Sequence, residues 1–87
     1  MHQEIKEIKL YSTLSCPYCK MEKKWLDNHQ VKHKSVMVDI NPYEAKKLTE
    51  KTGQFGVPVT EIVYTSGKSE YVIGFDQKKL SELLNIN

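Results

Sequence analysis

The sequence predicts an α/β domain with elements in the order βαβαββα, forming a four-stranded mixed sheet with helices on both faces. Three observations predict it. Short segments of period-two or β-branched character alternate with amphipathic helical segments through the first half of the chain. The second half holds two strand-like runs separated by a short Thr-Ser-Gly-Lys turn, and a leucine-spaced helix closes the chain. A right-handed βαβ half followed by a hairpin and a final helix folds into one layered sheet.

The first strand spans Ile5–Ser12, where apolar Ile8 and Leu10 alternate with polar Glu7 and Lys9. A helix follows from Pro17 to about His29, with Met21, Trp25 and Leu26 on one stripe and Lys20, Glu22, Lys23, Lys24 and Asp27 largely off it. Core packing is expected for Trp25. The run Ser35–Ile40 is short and rich in β-branched residues, a second strand, and Asn41-Pro42 then signals a helix start. That second helix runs to Thr52 and stops at Gly53. Val59–Tyr64 and Glu70–Ile73 are strands that pair antiparallel across Thr65–Lys68. Gly74 ends the last strand, Asp76 is a good N-cap, and Leu80, Leu83 and Leu84 recur at i, i+3, i+4 in a third helix.

Length and composition bound the function. Eighty-seven residues make one domain, residues 1–87, with a core large enough to fold unaided. No apolar run approaches the ~20 residues that cross a bilayer, so no membrane role is expected. The charged start Met1–Glu7 lacks the apolar segment of a signal peptide, which points to the cytoplasm. There a cysteine pair serves redox or metal chemistry more often than a persistent structural disulfide. The net charge is +2 and all thirteen basic residues are lysine. Without arginine there is no bidentate fork for phosphate or base edges, and no nucleic-acid partner is expected.

The chemistry concentrates at Cys16-Pro17-Tyr18-Cys19, where the first strand gives way to the first helix. Two thiols three positions apart on a first helical turn face the same side, within reach of a disulfide. Cys16 falls in the N-cap region, where unpaired N–H groups and the helix dipole stabilise a thiolate; Pro17 falls at N1, where a missing N–H costs nothing. Cys16 is therefore the expected nucleophile. It attacks a substrate disulfide, and Cys19, a turn deeper and less acidic, displaces the reduced substrate. A merely structural pair of core cysteines would have no need of a proline between its members.

A zinc-binding interaction module is the alternative reading. Cys16-x2-Cys19 followed by His29-x3-His33 has the ligand types of a two-Cys, two-His site, but the nine intervening residues fall short of the usual ~12 to 15. The expected elements also disagree, because the cysteines open a helix and His33 lies beyond it.

A second informative stretch is Gly53-Gln54-Phe55-Gly56-Val57-Pro58-Val59, a glycine-containing loop with proline at a strand entry. Gln54 is explained by its loop position. Spacing alone favours a trans bond before Pro58, since ~5% of such bonds are cis.

Cys16-Pro17-Tyr18-Cys19, Val57-Pro58 and Gly74-Phe75-Asp76, in order and at fitting spacing over nearly the whole chain, resemble the active-site tetrapeptide, Val-Pro loop and glycine-to-aspartate segment of the glutaredoxins. The small redoxins linked to ribonucleotide reductase are near relatives. The resemblance implies a thioredoxin-like fold with Pro58 cis beside the cysteines, and the Val57 backbone pairing with an extended substrate or with glutathione. It implies Tyr18 flanking that groove and Gly74, Phe75 and Asp76 at its far end. It also implies a monomer that reduces protein disulfides or mixed disulfides with glutathione, holds no bound cofactor, and draws electrons from glutathione or thioredoxin reductase. An iron-sulfur role is opposed by Pro17, which stiffens the loop. Two departures bear on the donor: Thr13 stands where glutathione-dependent members often carry lysine, and Ile73-Gly74 where they carry Gly-Gly.

Overall fold

The computed structural model describes residues 4–53 and 56–86; Gln54 and Phe55 of the glycine-containing loop lie outside the described residues. The elements are β1 (Ile5–Ser12), α1 (Pro17–Asn28), β2 (Lys34–Met37), α2 (Pro42–Thr52), β3 (Val59–Tyr64), β4 (Ser69–Ile73) and α3 (Gln77–Leu84). The fold is thioredoxin-like, with sheet order β2-β1-β3-β4. β1 and β2 are parallel, with Tyr11 opposite Val36, while β1–β3 and β3–β4 are antiparallel, with Tyr11 opposite Val59 and Val59 opposite Ile73.

Alternation along the strands divides the sheet into two faces. On one, Tyr11 and Val59 pack with Leu48 of α2, and Val36, Val38 and Tyr71 close around them. The other face presents Ile8, Leu10, Thr60, Ile62 and Val72, all buried, and α1 lies on it, joined to β3 by a hydrogen bond between Thr60 and Glu22. Phe75, at the head of α3, meets Trp25 of α1 edge-on at 6.1 Å, which sets α3 beside α1. Leu10, Leu26, Ile62, Leu80, Val59 and Val72 are at most 1% exposed, and each such side chain contributes roughly 1.5–3 kcal/mol by leaving water.

Local chemistry sets the helix limits. Asn41 caps α2 by accepting from the Glu44 N–H at 3.3 Å, Pro42 occupies its first turn, and Gly53 ends it at φ +74°, a left-handed conformation that costs a glycine little. Asp76 caps α3 through the Lys79 N–H at 3.1 Å.

Two expectations are corrected. β2 stops at Met37 rather than Ile40, because the N–H groups of Ile40 and Asn41 both bond to the Met37 carbonyl and curl the chain into a turn. The buried line of α1 is Cys19, Glu22 and Leu26, not Met21 and Trp25: Met21 is 51% exposed, Trp25 is half-buried, and the charged residue Glu22 is fully buried.

Candidate active site

Sheet topology gathers the site. β1 and β2 end, β3 begins and β4 ends along one sheet edge, so the loops carrying the cysteines, Val57-Pro58 and Gly74–Asp76 all emerge there. The loop after β1 is pinned at two points: the Cys16 N–H bonds to the Thr13 carbonyl at 3.4 Å, and the Leu14 N–H donates to Asp39 Oδ2 in the turn after β2 at 3.1 Å.

Cys16 is the N-cap of α1, with extended backbone (φ −89°, ψ 110°), and Pro17 opens the helix. The Cys16 Sγ accepts a hydrogen bond from the Cys19 backbone N–H at 3.2 Å, the place a Ser or Asp oxygen takes in an ordinary cap. That donor and the positive end of the helix act directly on the sulfur. Both cysteines are free thiols, but they differ in access: Cys16 is partly exposed and Cys19 only 3% exposed. Burial, aided by a hydrogen bond with Cys16, pushes the Cys19 thiol up to about 12.

Tyr18 projects from the first turn, 62% exposed. The Val57–Pro58 peptide bond is cis, as the family resemblance implies and spacing alone does not. The Pro58 carbonyl accepts from the Gly74 N–H at 2.8 Å, which binds the proline loop to the segment before α3. Gly74 takes φ +81°, a turn that suits glycine. Phe75 is half-buried against Trp25, and Asp76 is exposed in its capping role.

Glu22 was not among the sequence-derived candidates. It lies one turn beyond Cys19 on the same face, and Thr60 donates to its Oε2; Oε1 is buried without a partner. Burial raises this carboxyl to about 7 against the opposing pull of the Thr60 bond. A helical wheel anchored on Cys19 would have placed Glu22 inward, at i+3 from Cys19 and i−4 from Leu26.

Nothing supports a zinc site among the described residues, where no three histidine, cysteine or acidic side chains gather as a ligand set. His29 meets Trp25 in a tilted ring contact with centroids 4.5 Å apart, and His33 Nδ1 lies 3.0 Å from the Val31 carbonyl. At 1.5 Å rise per residue, the length of α1 holds His29 roughly 15 Å from Cys19. No helix among the described residues is long and apolar enough to cross a membrane.

A thioredoxin-like fold with a Cys-Pro-Tyr-Cys pair opening its first helix defines a thiol-disulfide oxidoreductase. Residues 8–65 match the glutaredoxin family model. An uncharacterised glutaredoxin-like 8.6 kDa protein from the rubredoxin operon of Clostridium pasteurianum is 30% identical over 77 residues, covering 88% of this chain and 96% of that protein. The crystal structure of a glutaredoxin from Archaeoglobus fulgidus superposes with a TM-score of 0.74 at 25% identity, over 90% of this chain and 85% of that one. The glutaredoxin-like NrdH-redoxin of Escherichia coli shares the fold, with a TM-score of 0.74 at 23% identity over 90% and 95% of the two chains. The chain belongs to the glutaredoxin family, and its chemistry is dithiol-disulfide exchange.

Proposed function

We propose that Cys16 captures the substrate disulfide and Cys19 resolves the adduct. The observation that carries this reading is the asymmetry of the pair: an accessible sulfur accepts the Cys19 N–H at 3.2 Å, while its neighbour is buried and hard to ionise. Negative charge on Cys16 strengthens that hydrogen bond, and charge on Cys19 gains no such exposure. In the cycle, the Cys16 thiolate attacks one substrate sulfur and expels the other as thiolate. Cys19 then attacks Cys16, freeing the remaining substrate thiolate and leaving a Cys16–Cys19 disulfide, a two-electron reduction of the substrate.

Tyr18, Val57, Pro58, Gly74, Phe75 and Asp76 form the walls against which the substrate lies, with the Val57 backbone pairing to an extended segment. Their loops emerge at the edge that carries the cysteines, and the Gly74–Pro58 hydrogen bond holds two of those loops together. The substrates are disulfides of cytoplasmic proteins and their mixed disulfides with glutathione, handled by a monomer of one domain. Electrons return from glutathione or from thioredoxin reductase.

The test is substitution of each cysteine. Cys16→Ser abolishes turnover, and Cys19→Ser accumulates a covalent adduct at Cys16 visible by mass; adduct formation at Cys19 instead reverses the assignment. Offering the oxidised protein separately to glutathione with its reductase and to thioredoxin reductase, while following NADPH, identifies the donor by the faster consumption.

A further inference from the structure

We propose that the Glu22 carboxylate takes the proton that Cys19 loses when its sulfur attacks the adduct on Cys16. The proposal rests on the assignment of Cys19 as the resolving thiol and adds the group that makes this step workable. A thiol that is 3% exposed has no direct route to hand its proton to bulk water. Glu22 follows it at i+3 on the buried line of α1, where side chains meet with Cβ atoms about 5–6 Å apart. The Thr60 hydroxyl holds Oε2 from across β3, which leaves Oε1 buried with an unfilled acceptor position. Unfilled buried acceptors are rare and costly in folded proteins, and the Glu22 charge reaches the Cys19 thiol, adding to the upward push that burial gives it. The proposed transfer is direct or relayed through a single water.

Among the described residues lining the cleft at Cys19 there is no other carboxylate and no imidazole. Lys20 and Lys23 share a small cleft with Cys19, and lysine ammonium groups donate rather than accept. The sheet face under α1 presents Ile8, Leu10, Ser12, Thr60, Ile62 and Val72, none of which titrates. Glu70 of β4 and Lys78, Lys79 and Glu82 of α3 are exposed. A carboxyl raised to about 7 is divided between its two forms at neutral pH, so it can accept a proton and give it back.

The step balances. The Cys19 sulfur forms a bond to the Cys16 sulfur, the bond from Cys16 to the substrate sulfur breaks, and its electron pair departs on the substrate thiolate. The Cys19 proton moves to Glu22. In this step the Cys19 sulfur is oxidised from thiol to disulfide, the substrate sulfur is reduced from disulfide to thiolate, and Cys16 stays within a disulfide throughout. Glu22, itself fully buried, holds the proton until the disulfide is re-reduced, when the same carboxyl returns it to Cys19.

The test uses reduced full-length protein and an aromatic disulfide that releases a coloured thiolate, followed by rapid mixing. Capture at Cys16 releases one equivalent of colour and resolution by Cys19 a second, so the two steps are read separately. In the native protein the second phase accelerates as pH rises through about 7, where the Glu22 carboxyl loses its proton. Glu22→Gln keeps the shape and the Thr60 contact. It is expected to keep the capture rate, slow the second phase by about tenfold or more at neutral pH, and lose the inflection, the rate then climbing only as Cys19 ionises unaided. A second phase in Glu22→Gln with native rate and profile overturns the proposal. A packing defect alone changes the amplitude or the rate at every pH and leaves the inflection in place, which equally overturns it. If the variant does not fold, the native protein decides: a flat second-phase rate between about pH 6 and 8 overturns the proposal, and an inflection coinciding with the infrared titration of a buried carboxyl supports it. Absence of a second phase in the native protein overturns the capture-and-resolve reading itself, which is a separate outcome.

Discussion

Two glutamates are buried among the described residues, one on each side of the sheet, and they are held in opposite ways. Glu61 on β3 accepts from the Tyr11 hydroxyl at 2.8 Å and from Tyr71 at 3.0 Å, and is 5% exposed. Burial pulls its carboxyl up, but these hydrogen bonds and the charge of Lys9 outweigh it and hold the group below the usual carboxylate range. Burial also pushes both tyrosines above their ordinary values, Tyr71 to about 12, so they stay donors across the working range. Glu22 has one donor and an empty second oxygen, and burial wins. Burial therefore does not decide what a carboxylate does; the number of donors around it does. The face under α2 holds a settled charge that organises packing, and the face under α1 holds a charge that can come and go.

The comparison can be broken or sharpened in steps. The largest effect is expected from Cys19→Ser, which ends turnover and leaves only capture at Cys16; if Glu22 acts through Cys19, adding Glu22→Gln to it leaves the capture rate unchanged, as rapid mixing of the single and double variants reads. Next comes stability. The folded-state value of Glu22 is raised, so its contribution is full below the unfolded value of about 4.5 and is lost as pH rises through about 7. Glu22→Gln escapes that loss, and urea unfolding should show it more stable than the native protein by up to about 3 kcal/mol near pH 8.5, with the gain vanishing near pH 4. The opposite sign is expected across the sheet. Tyr71→Phe removes one donor from Glu61 and should destabilise by about 1–2 kcal/mol at neutral pH, with turnover unchanged. Because the Glu61 value is lowered, that loss shrinks as pH falls through the folded value. The smallest effect belongs to a third carboxylate, exposed Asp76, whose replacement by Ala should cost about 1 kcal/mol in thermal unfolding through the lost cap on α3.

Local signals carried most of the fold. The limits of β1 and α2 follow from the period-two run and from the Asn41-Pro42 and Gly53 punctuation, and the structure places them as read. The Cys pair was legible from spacing, and Pro58 and Gly74 became so through the family resemblance. Both buried glutamates were illegible for one reason: a charged residue reads as a surface residue until its partner is known. The partners lie in other elements, Thr60 38 residues from Glu22, and Tyr11 and Tyr71 50 and 10 residues from Glu61. The hydrogen bond joining Pro58 to Gly74 was hidden in the same way, since it depends on the β3–β4 register rather than on either motif. The early end of β2 reflects a turn closed onto Met37, which a β-branched run conceals.

The bond from the Cys19 amide to the Cys16 sulfur has a spectroscopic consequence. A proton aimed at a sulfur shifts its magnetic resonance whenever that sulfur gains charge, acquires an adduct or closes a ring with its neighbour. Nitrogen-15 labelling makes that one peak a readout of the redox state of the protein, with no reagent added to consume the thiols being watched.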